Sequence, residues 1–218
     1  MHDSALSALP GFLKQFEGKV NFMYLDMKGL VTIGIGHLID PIDQALKLEF
    51  GTKGGSVVGG GDVTAEWRTV KARTDLIGKG SAEFDKITRL QLTDSGIAQM
   101  VADDAKSIEH YIKTNASAKM FYADFDTWPA DAQVAFMGVA WGGIPLPQFG
   151  WHQFPVACRD QDWDTAAAQC KISSPIAAGR NEAHKAMFIN AAAVTSNGDD
   201  ITKFWWPIRV GRSGKPSD

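Results

Sequence analysis

Residues 17–37 of this chain change their hydrophobic period from helical to strand-like within a few positions. Before this stretch, apolar side chains recur at helical spacing up to Phe16, and Gly18 stands where helices commonly end in a left-handed glycine. After it, β-branched and aromatic residues lie on both sides of a turn sequence, DMKG, at residues 26–29. The pattern therefore predicts a helix that leads directly into a β-hairpin over residues 20–36.

Two carboxylates lie at the junctions of these predicted elements. Glu17 ends the helix, and Asp26 begins the polar turn of the hairpin. In the second strand, period-two alternation places Thr32, Gly34 and Gly36 on one face, which leaves room for a ligand to approach the backbone. Two carboxyl groups in unlike surroundings suit glycoside hydrolysis, because one acid protonates the leaving oxygen while one base handles water.

The order of these residues resembles the active-site signature of the phage-type lysozymes, the family of the T-even phage muramidase. Glu17 is followed by Asp26, by Thr32 and then by the sequence GIGHL at residues 34–38. That family cuts peptidoglycan between N-acetylmuramic acid and N-acetylglucosamine. The resemblance implies that Glu17 is the general acid, that Asp26 is the base or charge stabiliser, and that Thr32 positions the water. It also implies substrate contacts from Tyr24, Gly36 and Leu38.

The resemblance covers roughly residues 5–45 and 90–190, and it is sharp only in the first of these ranges. It implies an α+β, mostly helical, lysozyme-like fold, with a small β-hairpin lobe and a larger helical lobe joined by a long helix that begins near Thr93. Residues 1–197 are then expected to form one domain of two lobes. In the family, the long helix starts much sooner after the GxGH motif, so residues 47–90 are expected to be an insertion. This insertion is either a lid or specificity element, or surface structure without such a role.

Three further residues take supporting roles from the same resemblance. His37 is expected to be structural, paired with an acid on the long helix, which by register is Asp104. Arg180, aligned through Phe188, is expected to reach the catalytic glutamate; a solvated surface arginine is the alternative. Trp141 departs from the amide that related enzymes often carry before a helix-ending glycine, and it is expected to be a core residue rather than a sugar platform.

Other segments can be interpreted from local pattern alone. A first helix is predicted over residues 3–17, unless Pro10 and its following glycine break it. Residues 51–62 are half glycine and are expected to form a loop without a packed element. A helix is predicted over residues 64–77. Residues 130–140 are almost wholly apolar or small, so they are expected to form the buried central helix of the larger lobe.

The C-terminal extension, residues 198–218, has no counterpart in the family pattern. The aromatic run FWWP at residues 204–207 is too apolar for water, so it is expected to dock back on the domain or to bind a partner. Residues 211–218 are expected to form a disordered tail.

Bulk properties limit the classes of protein. The net charge of −3 gives no basic surface of the kind that nucleic-acid binding requires. No apolar run of 18 or more residues predicts a membrane span, and the first residues lack the pattern of a signal peptide. Two cysteines, Cys158 and Cys170, are expected to be buried thiols rather than a disulfide. No His, Cys and acid cluster has metal-ligand spacing, so neither a metal nor a cofactor is expected.

These observations favour a muramidase that is made in the cytoplasm and acts in the bacterial periplasm or cell wall. Either a phage endolysin or an antibacterial effector toxin fits, and the expected partners are peptidoglycan glycan strands, with an immunity protein or a secretion or phage-tail component in addition. Two alternatives stay open. One is a chitinase-like glycosidase on the same fold, and the other is a non-catalytic, lysozyme-shaped module for wall binding or delivery.

Overall fold

The computed structural model describes residues 1–173 and 178–213, with Glu17 described by its backbone only. The chain divides into two compact units. We call Glu17–Val101 the sheet unit, and Met1–Phe16 together with Ala102–Asp218 the helical unit. The described chain is α+β and mostly helical, which confirms the predicted class.

All five strands of the described residues lie in the sheet unit, and the helices are distributed over both units. The strands are β1 (Val20–Leu25), β2 (Val31–Gly34), β3 (His37–Leu38), β4 (Gly51–Thr52) and β5 (Leu90–Gln91). The α-helices are α1 (Asp3–Glu17), α2 (Ile42–Ala45), α3 (Gly60–Lys71), α4 (Ala82–Asp85), α5 (Asp94–Thr114), α6 (Lys119–Tyr122), α7 (Ala130–Ala140), α8 (Gln153–Arg159), α9 (Trp163–Gln169) and α10 (Ala178–Asn197).

Helix α1 is continuous and contains Pro10 in its interior, so the alternative of a break there is wrong. Its apolar face is fully buried at Leu9 and Leu13, and this burial outweighs the hydrogen bond that a proline removes from a helix. The helix stops before Gly18, whose φ of 75° is a left-handed conformation that favours glycine. The predicted helix end is therefore confirmed.

The predicted hairpin is present and gains a third strand. β1, β2 and β3 form one antiparallel sheet in that order. Tyr24 pairs with Thr32 and Leu25 with Val31, while the register shifts between Val20 and Tyr24. All four residues of β2 are buried, so this strand is covered on both faces rather than on one.

The glycine-rich segment 51–62 does form packed structure, so the prediction of a loop is wrong. β4 pairs with β5 through Gly51 and Gln91, and α3 begins at Gly60 rather than at residue 64. The buried carboxylate of Glu66 in α3 accepts hydrogen bonds from the amide of Leu90 in β5 at 3.0 and 3.2 Å. The partner of Gly51 therefore lies in β5, far along the chain, and the local composition of residues 51–62 gives no sign of it.

The predicted insertion, residues 47–90, packs within its own unit. Helices α3 and α4 and strand β5 pack against β1, and α3 also contacts β2. The predicted helix 64–77 is shorter than expected, because α3 ends at Lys71 and a separate 3₁₀ turn follows at Thr74–Leu76. In the sheet unit residues 47–90 therefore cover the hairpin.

The helical unit is built around α7. Every residue of α7 is buried, which confirms the predicted central helix, and α10 packs against both α7 and α9. Cys158 and Cys170 are buried free thiols, as expected. No helix in the described ranges has the combination of length and apolar character needed to cross a membrane.

The aromatic segment after α10 docks back on the helical unit, as one of the two sequence-based alternatives expects. The buried carboxylate of Asp131 accepts hydrogen bonds from the amides of Trp205 at 2.8 Å and Trp206 at 3.0 Å. Burial raises the pKa of Asp131, although these amides and Asn190 oppose the shift. The predicted tail is wrong at Ser213, whose amide donates to the side chain of Asn197 at 2.8 Å; residues 214–218 lie outside the described range.

Candidate active site in the β-hairpin

Glu17 reaches its place through the end of α1. It is the last helical residue, Gly18 reverses the chain, and β1 begins at Val20. The backbone at Glu17 is therefore only three residues from the first strand of the hairpin that contains Asp26.

Asp26 holds the turn between β1 and β2. Its amide donates to the carbonyl of Leu30 at 3.0 Å, and the amide of Gly29 donates to the carbonyl of Asp26 at 3.0 Å. Its side-chain Oδ1 accepts from the amides of Lys28 at 2.8 Å and Leu30 at 2.9 Å. Gly29 has a φ of 73°, so the turn needs a residue that adopts the left-handed region without strain.

One oxygen of the Asp26 carboxylate is left for another partner. Both hydrogen bonds to the carboxylate end on Oδ1, and Oδ2 has no hydrogen-bond partner among the described residues. Asp26 is half-buried in the turn, and its bound Oδ1 restricts the orientation of the carboxylate. Its Oδ2 is available to a water molecule or a ligand. A carboxylate oxygen in this state can accept a proton or a hydrogen bond from water.

Thr32 lies directly across the hairpin from Tyr24 and is only 4 % exposed. Its hydroxyl donates to the carbonyl of Leu30 at 3.1 Å, while the amide of Leu30 is the group that donates to Asp26 Oδ1. Two of the three predicted catalytic side chains are therefore anchored on the same residue. The structure brings Asp26 and Thr32 together at the turn end of the hairpin.

The predicted open face of β2 differs from the expectation at one position. Met100 of α5 fills the space beside Gly34, where even a β-carbon would overlap its side chain. Gly36 is exposed, with open space around its α-carbon, and Leu38 is 45 % exposed. Room for a ligand therefore exists at Gly36 and Leu38 but not at Gly34; Tyr24 is half-buried.

The supporting residues are distributed over both units. His37 pairs with Ile33 in the sheet unit, whereas Asp104 and Arg180 belong to the helical unit. The guanidinium of Arg180 donates to the carbonyl of Gly138 in α7. The pairing of His37 with Asp104, and the contact of Arg180 with the catalytic glutamate, stay predictions. Trp141 is half-buried at the end of α7.

A cavity of about 700 Å³ lies in the helical unit, where α7 ends. Its described lining includes the aromatic residues Phe149 and Trp151 and the cations Lys171 and Arg180. The size suits a small ligand or a sugar. Every lining residue that the structure describes belongs to the helical unit.

Sequence reasoning missed two residues that support this end of the hairpin, Asp40 and Lys71. Asp40 accepts from the amide of Val31 at 3.1 Å and from Lys71, and Lys71 also donates to the carbonyl of Gly29 at 2.8 Å. Asp40 precedes a proline and Lys71 lies 31 residues away at the end of α3, so no local sequence pattern links the two residues.

The described residues contain no group of three or more His, Cys, Asp or Glu that could hold a metal ion. No protein-family model matches the chain, and no curated protein matches it. What the chain does must therefore be inferred from the residues of the hairpin themselves.

Proposed function

We propose that the protein is a muramidase with a lysozyme-like fold, which hydrolyses the β-1,4 bond between N-acetylmuramic acid and N-acetylglucosamine in peptidoglycan. The observation that carries this proposal is the shared anchoring of Asp26 and Thr32 on Leu30. Glu17 enters the same hairpin from the end of α1, at the spacing of the phage-type lysozyme signature.

In the proposed reaction, Glu17 donates its proton to the leaving glycosidic oxygen. Asp26 Oδ2 accepts a hydrogen bond from the attacking water and takes its proton, and the Thr32 hydroxyl oxygen holds the same water. Because a water molecule must fit between sugar and base, the outcome is inversion, with the two carboxyl groups about 6.5–9.5 Å apart. The hydrogen bonds to Oδ1 limit rotation of the Asp26 carboxylate. The entropic cost of orienting this base in the transition state is therefore lower.

This proposal includes the place and the context of action. Peptidoglycan lies in the bacterial periplasm or cell wall, so the enzyme acts there, as a phage endolysin or as an antibacterial effector. In the effector case, an immunity protein is the expected partner. The hairpin residues would catalyse the same hydrolysis in a phage endolysin and in an antibacterial effector.

The exchange Asp26→Asn tests the proposed base. An asparagine side-chain oxygen still accepts from the amides of Lys28 and Leu30, so the turn is kept while the charge is lost. We expect the rate of muropeptide release from purified sacculi to fall by about 10²–10⁴. The matched control is Asp43→Asn, an exposed aspartate of α2 that leaves the rate unchanged. Wild-type rates in Asp26→Asn would remove Asp26 from the mechanism.

A further inference from the structure

The C-terminal end of α3 contacts the turn that holds Asp26. The ammonium group of Lys71 donates to the carbonyl of Gly29 at 2.8 Å and also to Asp40 Oδ2. Lys71 is the last residue of α3, in the segment predicted to be an insertion. The inserted helix therefore places a cation against the backbone of the hairpin turn.

The contacted carbonyl belongs to the peptide group that holds the Asp26 carboxylate. The carbonyl of Gly29 and the amide of Leu30 are the two ends of one peptide unit, which is planar. The amide of Leu30 donates to Asp26 Oδ1 at 2.9 Å, while the carbonyl accepts from Lys71. Because a hydrogen bond at the carbonyl polarises the peptide unit, it orients and strengthens the amide as a donor to Asp26.

Asp40 fixes Lys71 and the start of β2 together. Its Oδ2 accepts from the amide of Val31 at 3.1 Å and from Lys71. Burial alone would raise the pKa of Asp40, but the bonds from Lys71 and Val31 and the charge of Lys71 hold it below its usual value. Asp40 is therefore a carboxylate at neutral pH, and its ion pair with Lys71 holds the lysine side chain in place.

Two more contacts hold α3 on this side of the hairpin. The indole of Trp67 donates to the carbonyl of Ile39 at 2.8 Å, and the Lys71 ammonium lies 5.9 Å from the centre of the Trp67 ring. Beyond the helix, Ile77 Cδ1 lies 3.2 Å from the place that a β-carbon on Gly29 would take. The turn is thus held by side chains that the hairpin itself does not provide.

We propose that Lys71 and Asp40 are positioning residues, which orient the Asp26 carboxylate through the Gly29–Leu30 peptide group. Their effect on catalysis rests on the proposed muramidase activity, whereas their effect on the structure of the turn is independent of it. The inserted segment then acts as a support for the site rather than as a lid.

The variant Lys71→Met removes the cation and keeps much of the side-chain stem. We expect hydrogen exchange at the Leu30 amide, followed by NMR, to rise about tenfold, on the scale of a lost hydrogen bond to a charged group. On sacculi, we expect kcat to fall about tenfold with KM within about twofold, because orientation is lost rather than substrate binding. Lys71→Arg should restore both values by more than half on a logarithmic scale, because a guanidinium also donates to a carbonyl and a carboxylate.

The matched control is Lys79→Met, an exposed lysine of the same inserted segment, which should behave as wild type in both measurements. If Lys71→Met does not fold, Asp40→Asn is measured instead, and the same rise in Leu30 exchange is expected. Unchanged exchange at Leu30 in the folded variant overturns the positioning role. A rise in exchange together with a wild-type enzyme that is inactive on sacculi supports the positioning of Asp26 and refutes only the proposed muramidase activity.

Discussion

Glu17→Gln is expected to lower the rate of muropeptide release from purified sacculi about a thousandfold, while leaving the melting temperature close to that of wild type. The substitution removes the proton donor for the leaving oxygen, and general acid catalysis is worth about 10²–10⁴ in rate. Glutamine matches glutamate in shape and in helix propensity, so the end of α1 should form as before. Initial rates at several substrate concentrations, with a thermal melt of each protein, measure both quantities.

The matched control for this experiment is Glu49→Gln, an exposed glutamate of the sheet unit that should retain the wild-type rate. A Glu17→Gln protein with full activity would show that another group donates the proton. A Glu17→Gln protein that loses its activity together with its thermal transition would point to a structural role instead.

The second large effect is expected from His184, a histidine of α10 buried against α7. It is 0 % exposed, and neither ring nitrogen has a hydrogen-bond partner within the described part of the chain. Its ring lies 5.6 Å from that of Phe12, and a β-carbon on Gly138 would overlap it. Burial, with the nearby charge of Arg180, lowers the pKa of His184 to about 3.

This lowered pKa makes stability depend on pH. The unfolded chain binds a proton on this histidine below its ordinary pKa near 6.5, whereas the folded chain binds one only near pH 3, so acid favours unfolding. The contribution is fully present above about pH 6.5, and it is lost at up to about 1.4 kcal/mol per pH unit as the pH falls towards 3.

We expect His184→Met to remove this dependence. Methionine fills a similar volume without a titratable or unsatisfied polar atom. Relative to wild type, the variant should therefore gain about 2 kcal/mol in the free energy of unfolding when the pH changes from 7.5 to 5. Urea unfolding at the two pH values measures the difference, with His110→Gln, an exposed histidine of α5, as the control. An equal difference at both pH values would show that His184 does not carry the effect.

Sequence pattern predicted the elements whose causes are local. The end of α1 at Gly18, the turn at Asp26 and the buried helix α7 each follow from residue types within a few positions. The pairing of β4 with β5 could not be predicted, because β4 lies in a glycine-rich segment and its partner Gln91 is 40 positions away from Gly51. The glycine-rich composition around Gly51 suggests a flexible loop, but hydrogen bonding to β5 holds this segment as a strand.

The candidate site could likewise be predicted from the sequence only in part. The spacing of Glu17, Asp26 and Thr32 is visible in the sequence, and the structure adds the common anchor on Leu30 that joins the last two. The docking of the aromatic segment was expected from its composition, but its acceptor, Asp131, lies in a helix that local pattern presents as apolar. Lys71 was missed for a different reason, since a lysine near a helix end usually faces water.

The most direct test of the muramidase activity is the identity of the new chain ends that the wild-type protein makes in purified sacculi. Digestion followed by borohydride reduction and mass spectrometry should give soluble disaccharide peptides that end in reduced N-acetylmuramic acid. Fragments that end in reduced N-acetylglucosamine, cleavage of chitin oligomers alone, or no soluble fragments at all would contradict it.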